Sequence, residues 1–117
     1  MKPTISNDLP ASVWLIMEFH QGHANRVTRE ELTTMLFGKY NDNLDRQVRD
    51  AIAELVTREF RPIVATSDGA GYFVARTLNE ASHTLAELDS RVAALNARKQ
   101  GIIKGLTGQS AGQASLL

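Results

Sequence analysis

Apolar positions recur along this chain mostly at helical spacing, broken once by two short extended runs. From Leu9 to Gln21, Val13, Leu15, Ile16, Met17 and Phe19 are apolar with Trp14 beside them. So wide an apolar surface predicts a helix buried on more than one side. Asn7 or Asp8 can cap it, Pro10 suits its first turn and Gly22 ends it. A second helical stretch covers Thr28 to Phe37. Thr28-Arg29-Glu30-Glu31 reads as a capping box, in which a hydroxyl and a carboxylate satisfy orphan amides at the helix start. Val27 before it acts as a hydrophobic staple, and Leu32, Met35 and Leu36 face inward. Gly38 stops that helix and opens a polar turn, Gly38 to Asn43.

Asp42 or Asn43 caps a third helix, Leu44 to Glu59. Leu44, Val48, Ala51, Ile52 and Leu55 define its core stripe. At about 100° per residue, the opposite face carries Arg46, Arg49, Asp50, Ala53 and Thr57. Pro62 forbids further helix. Two strand-like runs follow, Pro62 to Thr66 and Tyr72 to Arg76, joined by the glycine-bearing turn Ser67 to Gly71. The expected fold class is therefore α+β, mainly α. Three helices and a two-stranded β-hairpin wing in this order make the winged helix-turn-helix plan. Its usual job is to lay the second helix of the motif in the major groove of DNA and rest the hairpin on the backbone.

A last helix starts near Glu80, capped by Thr77 or Asn79. Ala81, Leu85, Leu88, Val92, Leu95, Ile102 and Leu106 are spaced alternately four and three apart, with Lys99 in one slot. This is a heptad seam. It predicts a coiled-coil homodimer interface carried by Leu85, Leu88, Val92, Leu95 and Ile102. Packing of the seam on the chain's own first helix is the other use open to it. Gly101 and Gly105 weaken its end, and Gly108 to Ser115 is small and polar, which predicts disorder. The expected organisation is a winged helix-turn-helix domain at 1–76, a dimerisation helix at 77–107 and a disordered tail at 108–117.

Net charge alters this picture. The chain has 117 residues, 13 Lys and Arg against 13 Asp and Glu, and no cysteine. Disulfides and thiolate chemistry are thereby excluded. Zero net charge weighs against DNA, because Lys and Arg neutralising phosphates supply most non-specific affinity. The stretch up to Arg76 holds nine basic and ten acidic residues, so it is not basic alone. DNA binding then needs local clustering of charge or two copies acting together. No long apolar run follows the N-terminal lysine, so neither a signal peptide nor a membrane span is expected, and the location expected is cytoplasmic.

The remaining chemistry is thin. His20 and His23 stand three apart, a spacing that can hold a metal, but no third ligand is evident and a surface pair is expected. Asp68-Gly69-Ala70-Gly71 lacks the Lys-Ser/Thr pair and the strand-to-helix setting of a phosphate-cradling loop. No Ser, His or acidic residue is placed as a nucleophile with its base, so no catalytic site is expected. No cofactor, metal or small-molecule ligand is expected either.

Asp45-Arg-Gln-Val-Arg-Asp-Ala-Ile-Ala-Glu-Leu, then Arg61-Pro-Ile-Val, then Gly71-Tyr-Phe-Val-Ala resembles the winged-helix domain of the biotin-operon-repressor type. The stretch from Val27 to Leu95 is also similar to small phage and prophage winged-helix proteins, in which a helix rich in Leu and Arg follows. The resemblance implies double-stranded DNA as partner and the second helix of the motif with the wing as its reader. By position it points to Asn43, Arg46, Gln47 and Arg49 and to the wing residues Ser67 and Gly69. Thr28 and Lys39 complete the expected DNA-binding set. The wing departs from the pattern: Asp68 stands there, with no Lys or Arg at the tip. The expected function is a sequence-specific DNA-binding protein, a small homodimeric transcriptional regulator of phage or prophage type. The alternative is a winged-helix protein–protein interaction module without DNA binding.

Overall fold

The computed structural model describes residues 8–108. Within them the order is α1 (Leu9–Met17), a single 3-10 turn (His23–Asn25), β1 (Val27–Thr28), α2 (Arg29–Phe37), α3 (Asp42–Glu59), β2 (Ile63–Ala65), β3 (Gly71–Val74) and α4 (Leu78–Thr107). The fold is α+β and mainly helical, with a small antiparallel sheet and a long C-terminal helix. The chain divides into two compact units, 1–84 and 85–117.

The sheet has three strands, in the order β1-β3-β2, where the sequence predicts two. The third is Val27–Thr28, which pairs antiparallel with β3 through Val27 opposite Tyr72 and Thr28 opposite Gly71. The other pair sets Ile63, Val64 and Ala65 opposite Val74, Phe73 and Tyr72. Both hairpin strands are shorter than expected. Ala75 N–H still donates to the Pro62 carbonyl in the same register, but Pro62 has no N–H to return, and Arg76 N–H turns to the Glu80 carboxylate. Gly71 is required by close approach: a Cβ there would collide with the Val27 carbonyl oxygen of β1.

Helix α1 is one turn shorter than expected and ends at Met17, not Gln21. The reason is long-range pairing. His20 C=O accepts from Val74 N–H at 2.8 Å, and Gly22 N–H donates to Val74 C=O at 2.8 Å. These residues serve the edge of the sheet and are lost to the helix. Gly22, at φ 85, stands beyond the helix rather than closing it. Asp8 is the cap, its carboxylate accepting from Ala11 N–H at 3.1 Å, and the alternative cap Asn7 lies outside the described residues. Only one side of α1 is fully covered. Val13 and Met17 are buried, whereas Leu15 is exposed and Phe19, beyond the helix end, more so.

Helix α2 has the predicted capping box. Glu31 N–H donates to Thr28 Oγ1 at 2.9 Å and Thr28 N–H donates to Glu31 Oε1 at 3.0 Å. Gly38 closes it in the left-handed conformation. Leu32 and Leu36 are buried, but Met35 is half exposed and does not face inward. Val27 and Leu32 share one buried cluster, so the staple residue is also a strand residue.

Helix α3 begins two residues earlier than expected. Its cap is Asn41, whose side chain accepts from Leu44 N–H at 2.9 Å, so Asp42 and Asn43 lie inside the first turn. Val48, Ala51, Ile52 and Leu55 are buried as the stripe predicts, and Leu44 is half-buried. They join Val13, Met17, Val27, Leu32, Leu36, Ile63, Tyr72 and Val74 in the main core. A smaller cluster, Val64, Phe73 and Ala75, packs with Ala81 of α4. Ala81 thus belongs to the first unit's core rather than to a free seam.

Helix α4 starts at Leu78, with Glu80 N–H donating to Thr77 Oγ1 at 3.2 Å, and runs through Gly101 and Gly105 to Thr107. Gly108, at φ 76, donates its N–H to the Lys104 carbonyl at 2.7 Å. The tail expectation otherwise falls on 109–117, outside the described residues. No helix among the described residues is long and apolar enough to cross a membrane.

Candidate nucleic-acid interface

The face of α3 opposite its core stripe is open. Asn43, Arg46, Gln47, Arg49, Asp50, Ala53 and Thr57 are all exposed. Asn43, Arg46, Gln47 and Asp50 follow the i, i+3, i+4, i+7 rhythm and share one surface, with Arg49 and Ala53 along its edge. Arg46 has no ion-pair partner among the described residues, although Asp42 stands four residues before it. The Asp45–Arg49 pair does form, with Arg49 Nε at 3.2 Å from Asp45 Oδ2.

Asp45 differs from the other acidic residues at the start of α3: it is only 3 % exposed. Arg29, the first residue of α2, meets its carboxylate with two bonds, Nε to Oδ1 at 3.1 Å and Nη2 to Oδ2 at 2.6 Å. Those bonds hold the Asp45 carboxyl below the usual carboxylate range, against the opposing effect of burial. The Arg29 and Arg49 charges act in the same direction. A sequence signal existed: Asp45 stands seven residues before Ile52, on the apolar stripe, where a carboxylate demands a cation. Arg49, four residues on, was legible as one such cation, whereas Arg29, 16 positions away, was not.

This pair gives a pH prediction. A carboxyl lowered in the folded state stabilises fully above its unfolded value of about 3.9 and loses that contribution as pH falls further. Wild-type stability should therefore drop below about pH 4. Asp45→Asn should lower stability at neutral pH, by roughly 1.5–3 kcal/mol for a charged hydrogen bond, and flatten the acid limb. Urea melts between pH 3 and 7 check this, and a mutant with an unchanged acid limb would refute it.

Arg29 also ties in the turn between β2 and β3. Its Nη1 donates to the Gly69 carbonyl at 3.2 Å and its backbone N–H to the Ala70 carbonyl at 2.8 Å. The start of α2, the first turns of α3 and the β2–β3 turn are thus held by one side chain and its amide. Thr28, Arg29, Glu30, Tyr40 and Ala70 line a shallow groove beside this junction.

The other predicted residues divide. Thr28 lies beside the β2–β3 hairpin through its pairing with Gly71, but its hydroxyl oxygen is engaged as the α2 cap. Ser67 and Gly69 are exposed in the turn. Asp68 is turned to local use: Thr66 Oγ1 and Ala70 N–H donate to Oδ1 at 2.5 and 2.9 Å, and together they lower its pKa. Lys39 stands exposed between α2 and α3, with no hydrogen bond to the other candidates. The sequence reading missed Arg29 and, as a buried group, Asp45.

The histidines are used structurally. His20 Nδ1 lies 2.8 Å from the Asn25 carbonyl, and the His23 ring meets Phe73 edge-on at 5.4 Å. Among the described residues no group of three or more His, Cys, Asp or Glu could hold a metal ion.

In the second unit, Leu85, Leu88, Val92, Leu95 and Ile102 are all exposed along α4. No protein family model, no curated protein and no solved structure matches this chain.

Proposed function

We propose that this chain is a winged-helix protein that binds double-stranded DNA in a sequence-specific manner as a homodimer and regulates transcription. The element order supports the winged-helix reading: a short strand between the first two helices joins the hairpin in one sheet, beside two consecutive helices. The observation that carries the DNA reading is the open polar face of α3. Asn43, Arg46, Gln47 and Arg49 stand exposed there, and α3 is tied through Asp45 and Arg29 to the wing turn. Arginine forks and amide side chains are the groups that read base edges in a major groove. With Asp45 internally neutralised, that face is also less acidic than its sequence implies.

The homodimer is proposed through α4. Its apolar stripe commits to a second copy because its charges are segregated. Glu87 and Asp89 lie early, and Arg91, Arg98, Lys99 and Lys104 lie late, so an antiparallel copy sets opposite charges together. A dimer also doubles a set of phosphate-binding cations that is sparse in one copy.

The test is salt-dependent binding to random duplex DNA. Wild type should bind at low salt and weaken as salt rises. Arg46→Ala with Arg49→Ala should weaken binding and flatten the log–log salt slope by about one unit for each phosphate no longer neutralised. Binding by the double mutant equal to wild type would remove α3 as the reader. A wild type that ignores duplex DNA at low salt would remove the DNA reading and favour a protein partner. Zero net charge and the exposed Phe19 and Phe60 rings are the features that suit that second reading.

A further inference from the structure

Two arginines converge on one buried carboxylate beside the open face of α3. Arg29 takes both oxygens of Asp45 and is itself held to the Gly69 carbonyl. Asp45 is therefore fixed from α2 and the wing, not free to follow its own helix surface. Arg49 pairs with the same carboxylate, its Nε 3.2 Å from Asp45 Oδ2, and its side chain remains 55 % exposed. A guanidinium has five N–H donors in a rigid plane. Nε is the nitrogen nearest Asp45, so the paired Nη edge is the part of the fork left for a ligand. That paired edge is the one that matches the O6 and N7 acceptors of guanine. The cluster of two arginines and one aspartate carries one net positive charge.

Resting on the DNA reading above, we infer that Asp45 is a positioning residue that makes Arg49 a base reader instead of a loose phosphate clamp. A free arginine on an exposed helix samples many rotamers and gains most from the nearest phosphate. Holding Nε removes that freedom and leaves one edge of the fork outward, which favours a contact with directional demands. Arg29 serves the same purpose one step back, because it fixes the carboxylate that holds Arg49. Arg46, unpaired, supplies charge and carries less directional demand.

The test compares two duplexes of equal length: one selected from a random pool by the wild-type protein, and its scrambled permutation. Wild type should prefer the selected duplex. Asp45→Asn keeps the shape but releases Arg49. It should lower the preference by about tenfold to a hundredfold, the worth of one bidentate base contact. Its binding to the scrambled duplex should become no weaker and more salt-dependent, by about one unit of log slope, as the freed arginine takes a phosphate. A merely structural role for Asp45 would weaken binding to both duplexes together and leave the slope alone. Arg49→Lys is the second variant, on an exposed side chain whose loss does not touch the core. It keeps the charge without the fork, so the preference should fall by a similar factor while the thermal melt stays in place. A preference retained by Arg49→Lys, or by folded Asp45→Asn, overturns the inference while leaving the DNA reading intact. A wild type that binds no duplex at low salt overturns both.

Discussion

Leu55→Ala is expected to destabilise the protein by about 2–5 kcal/mol, the range for a leucine truncated in a packed core. Leu55 is fully buried on α3 and belongs to the cluster that joins α1, α2, α3 and the sheet. Its neighbours along the stripe, Val48, Ala51 and Ile52, are buried as well, so little room exists for the cavity to collapse. Domains of this size hold only about 5–15 kcal/mol in total. The loss should therefore lower the melting temperature by roughly 10 °C or more. It should also weaken any ligand binding that needs α3 in place. Thermal denaturation followed by circular dichroism reads the effect. Val56→Ala, one position on and at the edge of exposure, is the contrast: it should cost well under half as much. Equal losses at the two positions would contradict the buried stripe.

The core was legible because helical stripes are local. Leu32, Leu36, Val48, Ile52 and Leu55 follow from spacing alone, and so does the capping box at Thr28 and Glu31, whose partners are three residues apart. What escaped was set by distant partners. Val27–Thr28 is a two-residue strand, too short to show a period, and it exists because β3 offers an edge to pair with. The last turn of the predicted first helix was lost to Val74, more than 50 positions on, through bonds to His20 and Gly22. At the candidate site the same divide holds. The exposure of Arg46 and Arg49 follows from the wheel, whereas the fate of Asp45 depends on Arg29 across the turn between two helices. The i, i+4 partner of Asp45, Arg49, is local and follows from spacing, but the second cation does not. Phe60 shows the limit from another side. It closes α3 in the left-handed conformation usually taken by glycine, at φ 59, and nothing in its type predicts that.

Leu88→Asp is expected to turn a dimer into a monomer and to weaken DNA binding sharply. The reasoning begins with α4 alone. Leu85, Leu88, Val92, Leu95 and Ile102 stand between 46 % and 62 % exposed, on one stripe of one helix. Left in water, each forgoes part of the roughly 1.5–3 kcal/mol that full burial of such a side chain supplies. A second copy of α4 covers the stripe with an identical one, which is the arrangement a heptad seam favours. Leu88 lies within the run of four apolar seam residues from Leu85 to Leu95, so a carboxylate there replaces a leucine in the middle of an apolar seam. Burying it unpaired is costlier than removing the leucine's packing. The helix itself should survive, since position 88 is exposed in a single copy and aspartate costs only a few tenths of a kcal/mol in helix propensity. Far-ultraviolet circular dichroism should therefore change little beyond what dimer loss removes. Sedimentation equilibrium should give a dimer mass for wild type and a monomer mass for Leu88→Asp. On DNA, one copy brings few cations from α3, so losing the second should reduce affinity by far more than twofold and shrink the salt slope toward half. Leu106→Asp, beyond Lys99 and past both Gly101 and Gly105, should dissociate the dimer much less. A wild-type protein that sediments as a monomer at micromolar concentration would assign the stripe to another occupant.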